Sequence, residues 1–413
     1  MELPLGAGTV SVDLPDCDVT VVEPPGGEPV DVGDAAARAM ADSHGPPLDA
    51  LVDPTDEVAV VVTDVTRAVP DDVLLDALFD DLPVPRSQVR IVLGLGLHRP
   101  MTDAEIDDGL GPYADLAVNH DPDAAVRIGA VEGVRDGLDD CEVLVHPAVA
   151  GADVVLSTGA VEPHQYAGFS GGAKTVAIGA GGEPLIRHTH GPAMLAQPGV
   201  RLGRVEGNPF RETVDAAGDV AGPAFCLNVA LGPDGVLGAS AGRPREVVRD
   251  LAGRARGALS VALSPDERYD AVVAGVGAPK DANLYQATRA ATYLLLGDRN
   301  PLRPGGRVVL PAELPEGAGE GTGERRFYER LAGAENADAL YDEMLDGYEP
   351  GAQRAFVVAR ALRDHDVYVT DSRSPEVPEA CLMHAREHVA DAVEPGSDVL
   401  VVPKALSTLL TSA

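Results

Sequence analysis

Only three of the 32 basic residues are lysines: Lys174, Lys280 and Lys404. Where arginine fills nearly every other cationic role, a retained lysine suggests chemistry that needs a primary amine. Lys174 lies in "HQYAGFSGGAKTV", residues 164–176. The run from Gly168 to Thr175 differs from the phosphate-binding pattern G-x-x-x-x-G-K-[ST] only at Ala173. In such a loop Lys174 would reach the outer phosphates and Thr175 would hold magnesium. Three features count against that use. Ala173 puts a β-carbon where the loop requires glycine, His164 precedes the run by four residues, and no acidic strand stands out to hold the ion. A phosphoryl-transfer enzyme with a degenerate loop is one reading, and a lysine held in a glycine-rich bend for other chemistry is the second.

Further reactive side chains sit in short polar segments. "TDVTRAVP" places Asp64, Thr66 and Arg67 ahead of a helical stretch. A guanidinium there suits a two-pronged grip on a carboxylate or phosphate, or else a surface ion pair. "GLGLHRPMT" carries His98, a proton acceptor near neutral pH or a structural imidazole. "IRHTHGPAML" offers His188 and His190, which would share a face on a strand and diverge on a helix. Imidazole suits zinc, copper or nickel, but one such pair is short of a full ligand set. The remaining ligands would come from elsewhere, including a non-protein group.

The elements that must position these residues read as alternating strands and helices. Apolar, β-rich runs recur at 57–64, 88–96, 142–147 and 152–159, and again at 269–277, 306–314, 366–371 and 398–403. "PDDVLLDALFDDL" reads as a helix between the first two, and Thr102 with Glu105 forms a capping-box pattern before the next. Continuous Val/Leu strands alternating with helices predict mostly parallel, doubly covered sheets, with ligands beyond the strands' carboxyl ends. The expected fold is α/β: two α/β domains with mostly parallel sheets and an active-site cleft between them. The expected boundaries are 1–258 for the N-terminal domain and 259–395 for a C-terminal domain that closes over the substrate. A tail, 396–413, is expected to return to the N-terminal domain. Residues 315–325, "PEGAGEGTGER", read as a Gly/Glu loop.

Composition bounds the partners. The 413 residues carry a formal charge of −34, with acids dispersed along the chain. Such a field repels nucleic acid and anionic membranes, and it fits a salt-rich, halophilic cytoplasm. No apolar run is long enough to span a bilayer and the N-terminus lacks an export pattern, so a cytoplasmic location is expected. The four cysteines are widely spaced, offering neither a disulfide framework nor a zinc knuckle.

Taken in order, "DVTR", "GLGLHRP", "VEPHQYAGFSGGAK", "HGPAML…VEGNP" and "PKDANLYQ" resemble the nickel-pincer-nucleotide-dependent lactate racemase family. The likeness spans roughly residues 55–290. It implies a 2-hydroxy acid racemase or epimerase, with lactate the expected substrate and a nickel pincer nucleotide as cofactor. Lys174 would bear that cofactor covalently, and His190 would be the one protein ligand to nickel. Asp64, Ser170, Gly171 and Gly172 would lie near the nucleotide. Arg67 and Lys280 would hold the substrate carboxylate, and His98 and His164 would be the acid–base pair. The resemblance also implies transient contact with proteins that make the cofactor and insert its nickel. Ala173 stands where the family often has a basic residue, and the chain has no Trp. The chemistry is coherent, since the α-hydrogen of a 2-hydroxy acid is a poor acid beside a carboxylate and leaves more readily as hydride. A non-catalytic binding protein on the same scaffold is the third reading.

Overall fold

The computed structural model describes residues 1–65, 67–347 and 349–413. The chain divides into two units, one of residues 26–258 and one of residues 1–25 with 259–413.

In the 26–258 unit, strand Val58–Thr63 holds a near-central place in a six-stranded sheet. On one side of it come Val89–Gly94 and then Ala117–Asn119. On the other come Val154–Val161, Pro223–Gly232 and Gly235–Gly242. All neighbours are parallel except the last pair. Val58 to Val62 and all of Val154–Val161 are buried, as strands covered on both faces must be. Helix Asp71–Asp81 packs Leu74, Leu75 and Leu78 into this core, and helix Val32–Ala41 adds Ala35, Ala36 and Met40. The capping box at Thr102 and Glu105 starts helix Asp103–Leu110.

The second unit is built on a fully parallel six-stranded sheet. Its strands run in the order His384–Arg386, Asp366–Thr370, Leu302–Pro311, Tyr269–Ala274, Asp398–Val402, Asp18–Val21.

Four sequence expectations change here. The tail does not return to the N-terminal domain: Asp398–Val402 pairs with Tyr269–Ala274, and Leu409–Ser412 pairs with Ser260–Leu263. Residues 1–25 leave the N-terminal domain, because Asp18–Val21 extends the second sheet beside Asp398–Val402. Both exchanges pair strands distant in sequence, which periodicity cannot reveal. The strand expected at 142–147, Cys141–Val145, pairs antiparallel with Val126–Val131 outside the main sheet. Its alternating burial at Cys141, Glu142 and Val143 is the mark of a half-exposed hairpin. Finally, helix Thr322–Ala332 begins inside the expected 315–325 loop.

Candidate active site

Segments that follow the carboxyl ends of three strands of the 26–258 unit bring the reactive residues together. Asp64 follows strand Val58–Thr63 and is only 8% exposed. Its Oδ2 lies 2.8 Å from Nδ1 of His98, on the loop that follows Val89–Gly94. Thr66 lies outside the described residues. Arg67 Nη1 donates to Glu162 Oε1 at 2.8 Å, and Glu162 directly follows strand Val154–Val161.

Past Glu162 the chain makes a tight hairpin, with Pro163–His164 pairing against Gly168–Phe169. The hairpin fixes His164: its Nδ1 accepts from the amides of Tyr166 and Ala167 at 3.2 and 3.1 Å. Gly168 is required where it stands. Its φ is +77°, and a β-carbon would meet the Arg204 carbonyl oxygen at 1.8 Å.

The glycine-rich bend that follows is held from below by buried polar side chains. Asn228, in strand Pro223–Gly232, accepts from the Gly172 amide at 2.8 Å. Arg211, 1% exposed in helix Pro209–Ala221, donates to the Gly171 carbonyl at 3.1 Å and pairs with Asp215 at 2.7 Å. Ser170 donates its hydroxyl to the Ala160 carbonyl, and its amide donates to the Glu162 carbonyl. The Ala173 methyl is buried and faces Gly218 of helix Pro209–Ala221. The amides of Ser170, Gly172 and Thr175 are therefore all spent on protein acceptors. A phosphate-binding loop needs such amides free, so this bend is a poor cradle for a nucleoside triphosphate.

What the bend presents is the Lys174 amine. Burial, with help from Arg67 and Arg211, pulls its pKa down to about 7, while Glu162 and Asp64 oppose the shift. A lysine at that value has a large neutral, nucleophilic fraction at physiological pH. Beyond it, His188 and His190 fall on helix Glu183–His190, so they diverge. His190 Nδ1 donates to the Ile186 carbonyl at 3.0 Å, which leaves the Nε2 lone pair free. Burial first, and then the Lys174 charge, lower its pKa to about 4, so the ring is neutral. Tyr166 and Phe210 stand edge-on to it with centroids 5.7 and 5.1 Å away. The same two rings contact His164.

Asp64, Arg67, His98, His164, Lys174 and His190 thus form one constellation on one unit. Lys280 follows strand Tyr269–Ala274 in the other unit. Sequence reasoning missed Glu162, Arg211, Asn208 and Asn228. Asn208 had a legible signal, Asn-Pro ahead of an amphipathic stretch, which is a helix start. Fully buried, it accepts from the Phe210 and Arg211 amides and donates to the Tyr166 and Arg204 carbonyls.

Residues 5–203 match the family model described as the lactate racemase N-terminal domain. The chain is 26% identical over 384 residues to a curated lactate racemase of Lactiplantibacillus plantarum, covering 86% of this chain and 84% of that one. It is 25% identical over 440 residues to the lactate racemase of Thermoanaerobacterium thermosaccharolyticum, covering 99% of each. The lactate racemase apoprotein structure from that organism superposes with a TM-score of 0.84 at 24% identity, over 99% of both chains. A Thermotoga maritima protein superposes at 0.63 with 16% identity, over 95% of this chain and 100% of that one. These two likenesses carry the α/β fold with mostly parallel sheets. Residues 5–203 thus belong to the lactate racemase N-terminal domain family, and over most of its length the chain is similar to curated lactate racemases.

Proposed function

We propose that the protein racemises a 2-hydroxy acid, with lactate the first candidate, using a nickel pincer nucleotide tethered to Lys174. The observation that carries this reading is a desolvated lysine amine beside a neutral histidine with a free ring nitrogen, flanked by two further histidines and an arginine. Among the described residues no group of three or more His, Cys, Asp or Glu side chains could hold a metal ion. A metal bound at His190 would therefore take its other donors from a non-protein group, which fits the pincer nucleotide. Lys174 would hold that group covalently through its amine, and His190 Nε2 would ligate its nickel. When bound, the group supplies an acceptor and donor of hydride.

The chain's own residues would do the rest. Arg67 would hold the substrate carboxylate, and the motif carrying Lys280 gives that lysine the same task. One of His98 and His164 would take the hydroxyl proton as the α-hydrogen departs. The other would return a proton to oxygen once the planar keto acid has been reduced from its opposite face. The Ser170–Gly172 backbone would lie against the nucleotide, and Asp64 stands behind His98. In a salt-rich cytoplasm, loading would call for proteins that build the nucleotide and insert nickel.

The test is loss of optical purity in single enantiomers of 2-hydroxy acids with cofactor-loaded protein. His98→Ala and His164→Ala should each block interconversion and keep nickel, whereas His190→Ala should lose nickel. Loaded protein inert toward every such acid would overturn the reading.

A further inference from the structure

The two histidines of the proposed acid–base pair are backed by opposite chemistry. His98 Nδ1 faces the Asp64 carboxylate at 2.8 Å. A carboxylate can only accept, so a neutral His98 ring carries its proton on Nδ1 and its lone pair on Nε2. His164 Nδ1 faces two N–H donors, the amides of Tyr166 and Ala167. It must therefore be the acceptor, and the ring proton sits on Nε2. The carboxylate behind His98 is well sheltered, since Asp64 is 8% exposed on the side chain against 57% for His98.

We propose that Asp64 is a positioning residue that holds His98 as the ready proton acceptor, and that the two histidines rest in opposite tautomers. This rests on the racemase reading for its catalytic meaning, but the tautomers themselves do not. His98 needs no rearrangement to take a hydroxyl proton at Nε2. His164 offers a hydrogen bond there and must release two turn amides before it can serve as a base. The two imidazoles are not interchangeable, and the chain assigns the first proton removal from one enantiomer to His98. This role differs from nucleotide contact, which the family resemblance gives to Asp64.

The substitution that separates the two roles is Asp64→Asn, which keeps shape and offers an N–H to Nδ1. The first measurement uses cofactor-free protein with 15N-labelled histidine. Long-range proton–nitrogen spectra, with signals assigned by His98→Ala and His164→Ala, should show wild-type His98 protonated on Nδ1 and His164 on Nε2. In Asp64→Asn only His98 should change, moving its proton to Nε2. An unchanged His98 would overturn the proposal. The second measurement uses loaded protein. Asp64→Asn should keep the Lys174 adduct mass and nickel content while kcat falls roughly 10²–10⁴-fold with KM little changed, the effect expected of a wrong tautomer behind a catalytic imidazole. Loss of adduct or nickel would instead make Asp64 a cofactor contact. If wild-type loaded protein racemises nothing, the functional reading fails, while a tautomer switch still supports the positioning role.

Discussion

Arg67 Nη1 and Glu162 Oε1 meet at 2.8 Å across the carboxyl ends of two adjacent parallel strands. Both side chains remain about one-third exposed, at 38% and 31%. An ion pair this wet contributes little stability, about 0–1 kcal/mol. Its consequence is competition: a substrate carboxylate that seeks Arg67 meets an anion already there.

Glu162→Gln should therefore leave Tm nearly unchanged and lower KM for a 2-hydroxy acid several-fold, since about 1 kcal/mol of competing attraction is removed. Steady-state kinetics beside a thermal melt checks this. A raised KM at constant Tm would mean that Glu162 aligns Arg67 and does not compete with substrate.

Asp71 is buried at the start of helix Asp71–Asp81 and accepts from Thr158 at 2.5 Å and Thr63 at 3.3 Å. Burial outweighs those bonds and raises its pKa to about 7. In the unfolded chain it would ionise near pH 4. The unfolded state thus releases this proton first, and the group's contribution to stability falls as pH rises from about 4 to about 7. Asp71→Asn should remove that decline, so the variant gains on wild type by a few kcal/mol between pH 5 and 8. Denaturant melts of both proteins at those two pH values measure it, and an unchanged difference would contradict the raised value.

Asn208→Ala would remove a helix cap and the two bonds donated to the carbonyls of Tyr166 and Arg204. The cap is worth about 1 kcal/mol and each lost hydrogen bond about 0.5–1.5 kcal/mol, so a loss of roughly 2–4 kcal/mol is expected. Because Tyr166 flanks both His164 and His190, nickel retention should weaken as well. A melt within 1 °C of wild type would refute the stapling role.

Much of this was legible before the fold was. Val-rich runs such as 57–64 declared buried parallel strands, and Lys174 stood out because lysine is so scarce in the chain. His98 and His164 could be nominated from their places after strands. Their backing could not: the Asp64–His98 bond joins residues 34 positions apart, and the Arg67–Glu162 pair spans 95. Arg211 was hidden for a related reason, since a buried arginine is exceptional and only tertiary packing against Gly171 explains it. The exchange of residues 1–25 into the second unit was invisible because the pairing of Asp18–Val21 with Asp398–Val402 leaves no local pattern.

The central claim is that the Lys174 amine carries a prosthetic group whose nickel is completed by His190. With three lysines in the chain, peptide mass mapping reads it directly. Active enzyme should show an adduct on Lys174 alone, about one nickel per chain, and neither in Lys174→Arg, since a guanidinium is not nucleophilic like a neutral amine. Unmodified Lys174 in protein that still racemises a 2-hydroxy acid would contradict the account.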